Sequence, residues 1–482
     1  MLKVRLHAAP PGDDSALALF LRQGAPPPAA LRAGAAAARF TGAAGQVARL
    51  WDGHRAVLLA GLGTTPDTAA ATRAGGLAAA ALADQAQAAF DARDLSPALA
   101  AALAEGAALR THTVTKYRTR PDPDSPAPRL ARLDLHVAAL APAQAAWRRG
   151  FAAARGSIFA RELATDPANV LTPKNFAARL AELPGMEITV LRPAEIAKAG
   201  MGALLGVARA SANAPRVAVL RRKGAFKAKP LVLLGKGVCF DTGGISIKPA
   251  LDMAAMKADM AGAAACAGAM LALALRDSPA PVVAVLGLVE NAIGDNAQRP
   301  GDVVRAADGS SIEIVDTDAE GRLVLADLLA WSRARLDPVA MIDLATLTGS
   351  IVTALGHHRA GLYATDAALA TKLAAAGEAT GELLWPMPIS QGIDAEALES
   401  AIADIRHCAH GSLLPDANQA AAFLKRFAGD VPWAHLDIAG VEWRDEADPL
   451  GPAGASGFGA RLLDRLVAQG FEDSDRWPEQ GH

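Results

Sequence analysis

Three short segments of this 482-residue chain place charge inside apolar surroundings, and their residue types can bind cations. They are "GKGVCFDTGGISIKP" from Gly235 to Pro249, "MKADM" from Met256 to Met260, and "VDTDAEGRL" from Val315 to Leu323. Burying a lone carboxylate or ammonium costs several kcal/mol unless the group is paired or bound to a metal. Asp241, Asp259, Asp318 and Glu320 carry four negative charges, which two divalent ions neutralise. Lys236 joins such a site only as the neutral amine, because an ammonium has no lone pair to donate. A metal enforces that deprotonation despite a reference pKa near ~10.4. Lys248 and Arg322 are then free to act on a substrate or an anion. A salt-bridge network of the same lysines, arginine and acids meets the same demand, and the charge count leaves both open. If the third segment is extended, Asp316, Asp318, Glu320 and Arg322 share one face.

The elements that must position these residues form an alternating pattern. Strand-like runs at Pro230–Leu234, Val282–Leu286, Ile312–Val315, Val339–Leu344 and His435–Ile438 read as buried strands between helical stretches. Such alternation predicts an α/β fold with a mostly parallel central sheet covered by helices. Ligands of such sheets bind beyond the carboxyl ends of the strands, where Lys236, Asp241, Asp318 and Glu320 fall. Residues 1–150 read as a smaller N-terminal α/β domain and 151–482 as a larger catalytic domain. Tyr117 to Arg132, with its prolines and charges, reads as an exposed loop, and Ala145 to Leu163 as a helix leading into the second domain.

Composition bounds the rest. Hydrophobic residues make up 51% of the chain, charged residues 20%, and the formal net charge is −2. This is ordinary globular composition without the basic excess of a nucleic-acid binder. Cys239, Cys266 and Cys408 are widely spaced and form no paired motif, which points to a reducing compartment and against a thiolate zinc site. The N-terminus lacks the apolar core of a signal peptide, and the run Met260–Leu275 falls short of the ~20 residues of a membrane span. The expectation is a soluble, cytoplasmic protein.

The three charged segments resemble the signatures of the leucyl aminopeptidase (cytosol aminopeptidase) family, and their mutual spacing matches. So do the flanking pieces "DPANVLTP" at Asp166, "QRPGDVV" at Gln298, "ATLTG" at Ala345 and "WAHLDIAG" at Trp433. The likeness covers about residues 160 to 470; the N-terminal part is only faintly similar to the family's macro-like domain. The resemblance implies a two-metal site. Lys236, Asp241, Asp259 and Glu320 would hold one ion, and Asp241, Asp318 and Glu320 the other, with the Asp318 carbonyl helping. The ions would be Zn²⁺ or Mn²⁺, and a hydroxide bridging them would attack the N-terminal peptide bond. Lys248 and Arg322 match the catalytic positions, Arg322 as holder of a bicarbonate. Met256, Thr346 and Leu347 would line the pocket for the first side chain. From the residues alone Met256 reads rather as a core methionine, and only the motif match moves it to the pocket. The implied substrates are peptides with a free N-terminus, preferably Leu or another apolar residue, and the implied assembly is a homohexamer.

Three positions depart from the family pattern: Asp316 for Asn, Thr242 for Ser, and Ala261 for the first of two glycines. None removes a ligand, and Asp316 is expected to support the loop rather than to bind metal. Among the histidines, His357 and His358 read as loop residues and His435 as a core residue. His407 and His410 flank Cys408 without the second cysteine that a zinc site of this type needs. Some bacterial members of the family also bind DNA, an alternative role that the near-neutral charge argues against.

Overall fold

The computed structural model describes residues 1–473 apart from 14, 121–129, 226–227, 391–395 and 410–414. Most of the expected loop between Tyr117 and Arg132, and also His410, therefore lie outside the described residues. Contacts divide the chain into two units. The first comprises Met1–Ile158 with two short returns, Ala379–Gly381 and Arg444–Gly454. The second comprises Phe159–Glu378, Glu382–Trp443 and Ala455–His482.

The first unit is built on six strands: β1 (Lys3–His7), β2 (Ala16–Leu21), β3 (Val47–Asp52), β4 (Arg55–Gly61), β5 (Gln87–Asp91) and β6 (Arg132–His136). Their order is β1-β6-β5-β2-β4-β3. Every neighbouring pair is parallel except the β3–β4 hairpin. Helices α1 (Thr68–Ala81) and α2 (Pro97–Arg110) start at Asp67 and Ser96, whose side chains accept a backbone N–H of the first turn. Alanine and glycine let the two helices touch backbone to backbone. A Cβ added at Gly106 would lie 1.7 Å from the Thr72 carbonyl oxygen. The stretch Ala145–Leu163 lies within a 26-residue helix, α3 (Leu140–Thr165).

The second unit contains an eight-stranded sheet made of β7 (Glu187–Leu191), β8 (Arg216–Arg222), β9 (Leu231–Asp241), β10 (Val282–Asn291), β13 (Ala340–Ala345), β14 (Ala360–Ala364), β15 (Leu384–Pro386) and β17 (Trp433–Asp437). Its order is β15-β14-β17-β13-β9-β10-β8-β7, and the central four strands, β17, β13, β9 and β10, run parallel. Strands covered on both faces read as unbroken apolar runs rather than alternating ones. Helix α4 (Ala261–Leu275) contributes to one of the two main hydrophobic clusters and helix α5 (Glu320–Leu336) to the other. By length and composition the stretch Ala254–Leu275 passes for a membrane span, yet it is mostly buried inside the protein. One expected strand is placed differently. Ile312–Val315 contributes only β12 (Ser311–Glu313), which pairs with β11 (Val303–Arg305) and β16 (Ile405–Arg406) in a separate three-stranded sheet. Its apolar run is short, and Ile314 leaves the ladder to bond Asp302 and Gly301.

Candidate metal centre

Four segments of the second unit meet at one place, three of them carrying charge. Strand β9 carries Lys236 in its middle and Asp241 at its carboxyl end. The chain then turns through Gly243 and Gly244, both at positive φ (85° and 66°), a conformation that glycine reaches without strain. That turn leads to Lys248. A short 3-10 helix, Ala254–Ala258, precedes Asp259 and the start of α4. Thr317 and Asp318 form a turn ahead of α5, which begins at Glu320. The segment Thr346–Gly349 follows β13 and leads into α6 (Gly349–Leu355).

These segments line a cavity of about 280 Å³ that is bounded by Lys236, Asp241, Lys248, Met256, Asp259, Asp318, Glu320, Thr346 and Leu347. Every expected metal-binding and pocket residue is thus brought to one cavity, together with Thr348, Ala439 and Trp443. Carboxylate oxygens of Asp241, Asp259 and Glu320 lie within 4.8 Å of one another. The Lys236 ammonium sits 2.8 Å from Asp259 and 2.9 Å from Glu320, and donates to the Thr346 carbonyl at 2.8 Å. Lys248 sits 2.9 Å from Asp241 and 2.5 Å from Asp318. Gly321 makes room for Lys236, since a Cβ there would meet Lys236 Cδ and Cε at 2.7 Å.

Two ammoniums do not balance four carboxylates, and the protonation equilibria reflect the shortfall. Burial, reinforced by Asp241 and Glu320, pushes the Asp318 carboxyl up to about 7 despite Lys248. Burial likewise raises Asp259 well above the carboxylate range, and burial with repulsion from Asp241 raises Glu320. For Lys236, burial favours the neutral amine, but Asp259, Glu320 and Asp241 outweigh it and hold the proton on. Asp259 Oδ2 is buried without a hydrogen-bond partner among the described residues. A carboxylate-rich cluster short of positive charge, with a free buried oxygen, fits divalent cations.

The loops are locked to each other by groups that the charge pattern did not reveal. Asn291, at the end of β10, donates to Asp241 Oδ1 at 2.8 Å and to the Thr317 carbonyl at 2.9 Å. Thr317 donates to the Gly243 carbonyl and accepts from the Ser246 N–H. Neither residue stands out in the sequence, because an Asn or Thr becomes informative only once its neighbours across the fold are known. Thr242, one of the departures, donates to the Asn291 carbonyl and accepts from the Gly244 N–H.

The shared face expected of Asp316, Asp318, Glu320 and Arg322 is not formed. The segment is a turn that enters a helix, so its side chains diverge. Asp316 accepts the Asp318 N–H at 3.0 Å, which makes it a support of the turn. Arg322 does not line the cavity. Its guanidinium donates to the His407 carbonyl at 3.1 Å and to Asp416 at 2.6 Å, and its Nε is buried without a partner among the described residues. His407 packs on the same turn, its Nε2 2.7 Å from the Asp316 carbonyl, while Nδ1 accepts the Val315 N–H. Burial and Arg322 hold its pKa down to about 4. His357 Nδ1 bonds the Gly440 carbonyl, and His435 pairs through Nδ1 with Asp343 at 2.6 Å.

The chain is similar to known proteins over most of its length. Residues 158–464 match the catalytic domain of the cytosol aminopeptidase family, and residues 28–121 match that family's N-terminal domain. The chain belongs to the cytosol aminopeptidase family. A Gluconobacter oxydans protein named "probable cytosol aminopeptidase" is 47% identical over 364 residues, covering 75% of this chain and 73% of its own. A protein of the same name from Sinorhizobium fredii is 45% identical, covering 86% and 85%. Among solved structures, the bottromycin maturation enzyme BotP in complex with Mn superposes with a TM-score of 0.85 at 35% identity, covering 95% of this chain and 99% of that one. A tomato leucine aminopeptidase variant gives 0.86 at 30% identity, covering 97% of each chain. As a member of the cytosol aminopeptidase family, the protein is a metal-dependent hydrolase of peptides that acts at their N-termini.

Proposed function

We propose that this cytosol aminopeptidase releases N-terminal Leu and other apolar residues at a pair of divalent ions held in the 280 Å³ cavity. The observation that carries the reading is the convergence of Asp241, Asp259, Asp318 and Glu320 on that cavity, with Asp259 Oδ2 unpartnered. Lys236, Asp241, Asp259 and Glu320 would hold one ion, and Asp241, Asp318 and Glu320 the other, Asp241 and Glu320 bridging. When bound, such a pair supplies a water that is deprotonated at neutral pH and a Lewis acid for the scissile carbonyl. Lys236 would hold its ion as the neutral amine, the only form with a lone pair to give. Lys248, which reaches the cavity beside Asp241 and Asp318, would donate to the oxyanion that develops on the scissile carbonyl. Met256, Thr346 and Leu347 would receive the first side chain.

Oxygen donors with one amine accommodate zinc or manganese, and the Mn-bound BotP supports manganese. A bicarbonate at Arg322 would have Nε as its donor and Asp416 as its competitor. Assembly as a homohexamer and a cytoplasmic location are the family's properties, carried over here. Of the four cations lining a second cavity, Arg221, Arg222, Lys223 and Lys229, the last three pair with Asp277, Glu187 and Asp337, so the alternative DNA-binding role gains little there.

The test is hydrolysis of leucine amide, with bound metal measured on the same sample. Activity that survives complete metal removal, or fewer than two ions per chain at saturation, would sink the two-metal reading.

A further inference from the structure

Strand β17 ends in Asp437, which is 1% exposed and has no part in the chemistry above. Its carboxylate reaches two separate stretches of the cavity wall. Oδ1 accepts the backbone N–H of Leu347 at 3.1 Å and of Ala439 at 3.3 Å, and Oδ2 accepts the Thr348 hydroxyl at 2.7 Å. Leu347, Thr348 and Ala439 all line the cavity. Thr348 Oγ1 also accepts the Ile351 N–H, so the same contact anchors the start of α6, whose Val352 lines the cavity too. The preceding residue, Thr346, donates to Asp259 at 2.7 Å. An aspartate that only closed its own strand would bond Ala439 alone. Two of these three bonds instead join residues 89 and 90 positions apart in the sequence.

We propose that Asp437 is a positioning residue for the pocket of the first side chain. By holding the Leu347–Thr348 turn and Ala439 at a fixed spacing, it sets how large an apolar group the cavity accepts. Bonds made to backbone N–H groups act whatever side chain occupies position 347, so the clamp governs the shape of the wall independently of what lines it. The specificity consequence rests on the aminopeptidase reading; the clamp itself does not.

Two substitutions separate these layers. Asp437→Ala removes all three acceptor contacts. Asp437→Asn keeps an oxygen for the two N–H groups and offers an amide to the Thr348 oxygen. The expected result for Asp437→Ala is a KM at least tenfold higher for leucine amide, a smaller change for alanine amide, a lesser fall in kcat, and unchanged metal content. Asp437→Asn should stay within about threefold of the parent KM. Hydrogen exchange read by mass spectrometry should quicken together in peptides spanning 345–352 and 438–443, and not in β9. A folded Asp437→Ala protein with an unchanged leucine-to-alanine KM ratio, or with faster exchange in only one of the two peptides, overturns the proposal. If Asp437→Ala does not fold, Thr348→Val removes one leg of the clamp: a severalfold rise in KM for leucine amide supports the proposal, and an unchanged KM overturns it. A parent protein without turnover would sink the aminopeptidase reading, while the exchange experiment would still decide the clamp.

Discussion

Lys236 must change its protonation state before it can bind a cation. Its side chain lies 2.8 Å from Asp259 and 2.9 Å from Glu320, where the carboxylates favour the ammonium, and only the neutral amine has a lone pair to give. Metal uptake should therefore release protons, at least one per chain from Lys236 and more at pH 6, where the Asp318 carboxyl is largely protonated. Calorimetry in two buffers of different ionisation heat counts them directly, and a proton-neutral titration would show that Lys236 is no ligand. Lys248 has a different part. It is the cation nearest Asp241 and Asp318 and reaches the cavity. Lys248→Ala should lower kcat by roughly 10²–10³, the range typical of a lost oxyanion donor, with metal content retained.

At the scale of elements, glycine decides how closely the pieces carrying the proposed ligands approach. Gly321 lies in the first turn of α5, where alanine would ordinarily stabilise the helix by up to about 1 kcal/mol. Its added Cβ would collide with the far end of Lys236, a flexible chain held by Asp259, Glu320 and the Thr346 carbonyl. Gly321→Ala should leave the melting temperature within a few degrees of the parent while weakening metal binding at least tenfold, measured by equilibrium dialysis. Much of this arrangement was legible in the sequence. Acids and lysines in apolar runs are costly enough to need an explanation, so their mere presence marked the site. The strands β9, β10, β13 and β17 were legible too, because strands buried on both faces read as unbroken apolar runs. The course of Val315–Leu323 was not. Alternation of charge there mimics an extended strand, and only the Asp316 side chain bonding the Asp318 N–H reveals a turn. Asn291, Thr317 and Asp437 were equally hidden, since their partners lie on distant segments.

For the molecule as a whole, pH and metal are the levers. His407 is buried, and its pKa of about 4 lies below the ordinary value of 6.5. Below pH 6.5 the unfolded chain takes up a proton that the folded ring refuses. This group's contribution to stability is thus complete above 6.5 and is lost as pH falls toward 4, roughly 3 kcal/mol in all. Urea unfolding at pH 5 and pH 7 should show a smaller difference in His407→Gln than in the parent. An identical difference would mean that His407 is not the group responsible.

The lysine pairs have a consequence for how the enzyme matures. Lys236 and Lys248 supply part of the positive charge from within the chain, so the expectation is that the fold forms without an ion and that loading is an exchange in a finished pocket. Protein made under chelation should be folded, with native far-ultraviolet dichroism, and inactive. Adding Mn²⁺ or Zn²⁺ should restore turnover without a refolding step. Were the fold to come first and the metal later, the choice of ion would fall to whichever pool the completed protein meets.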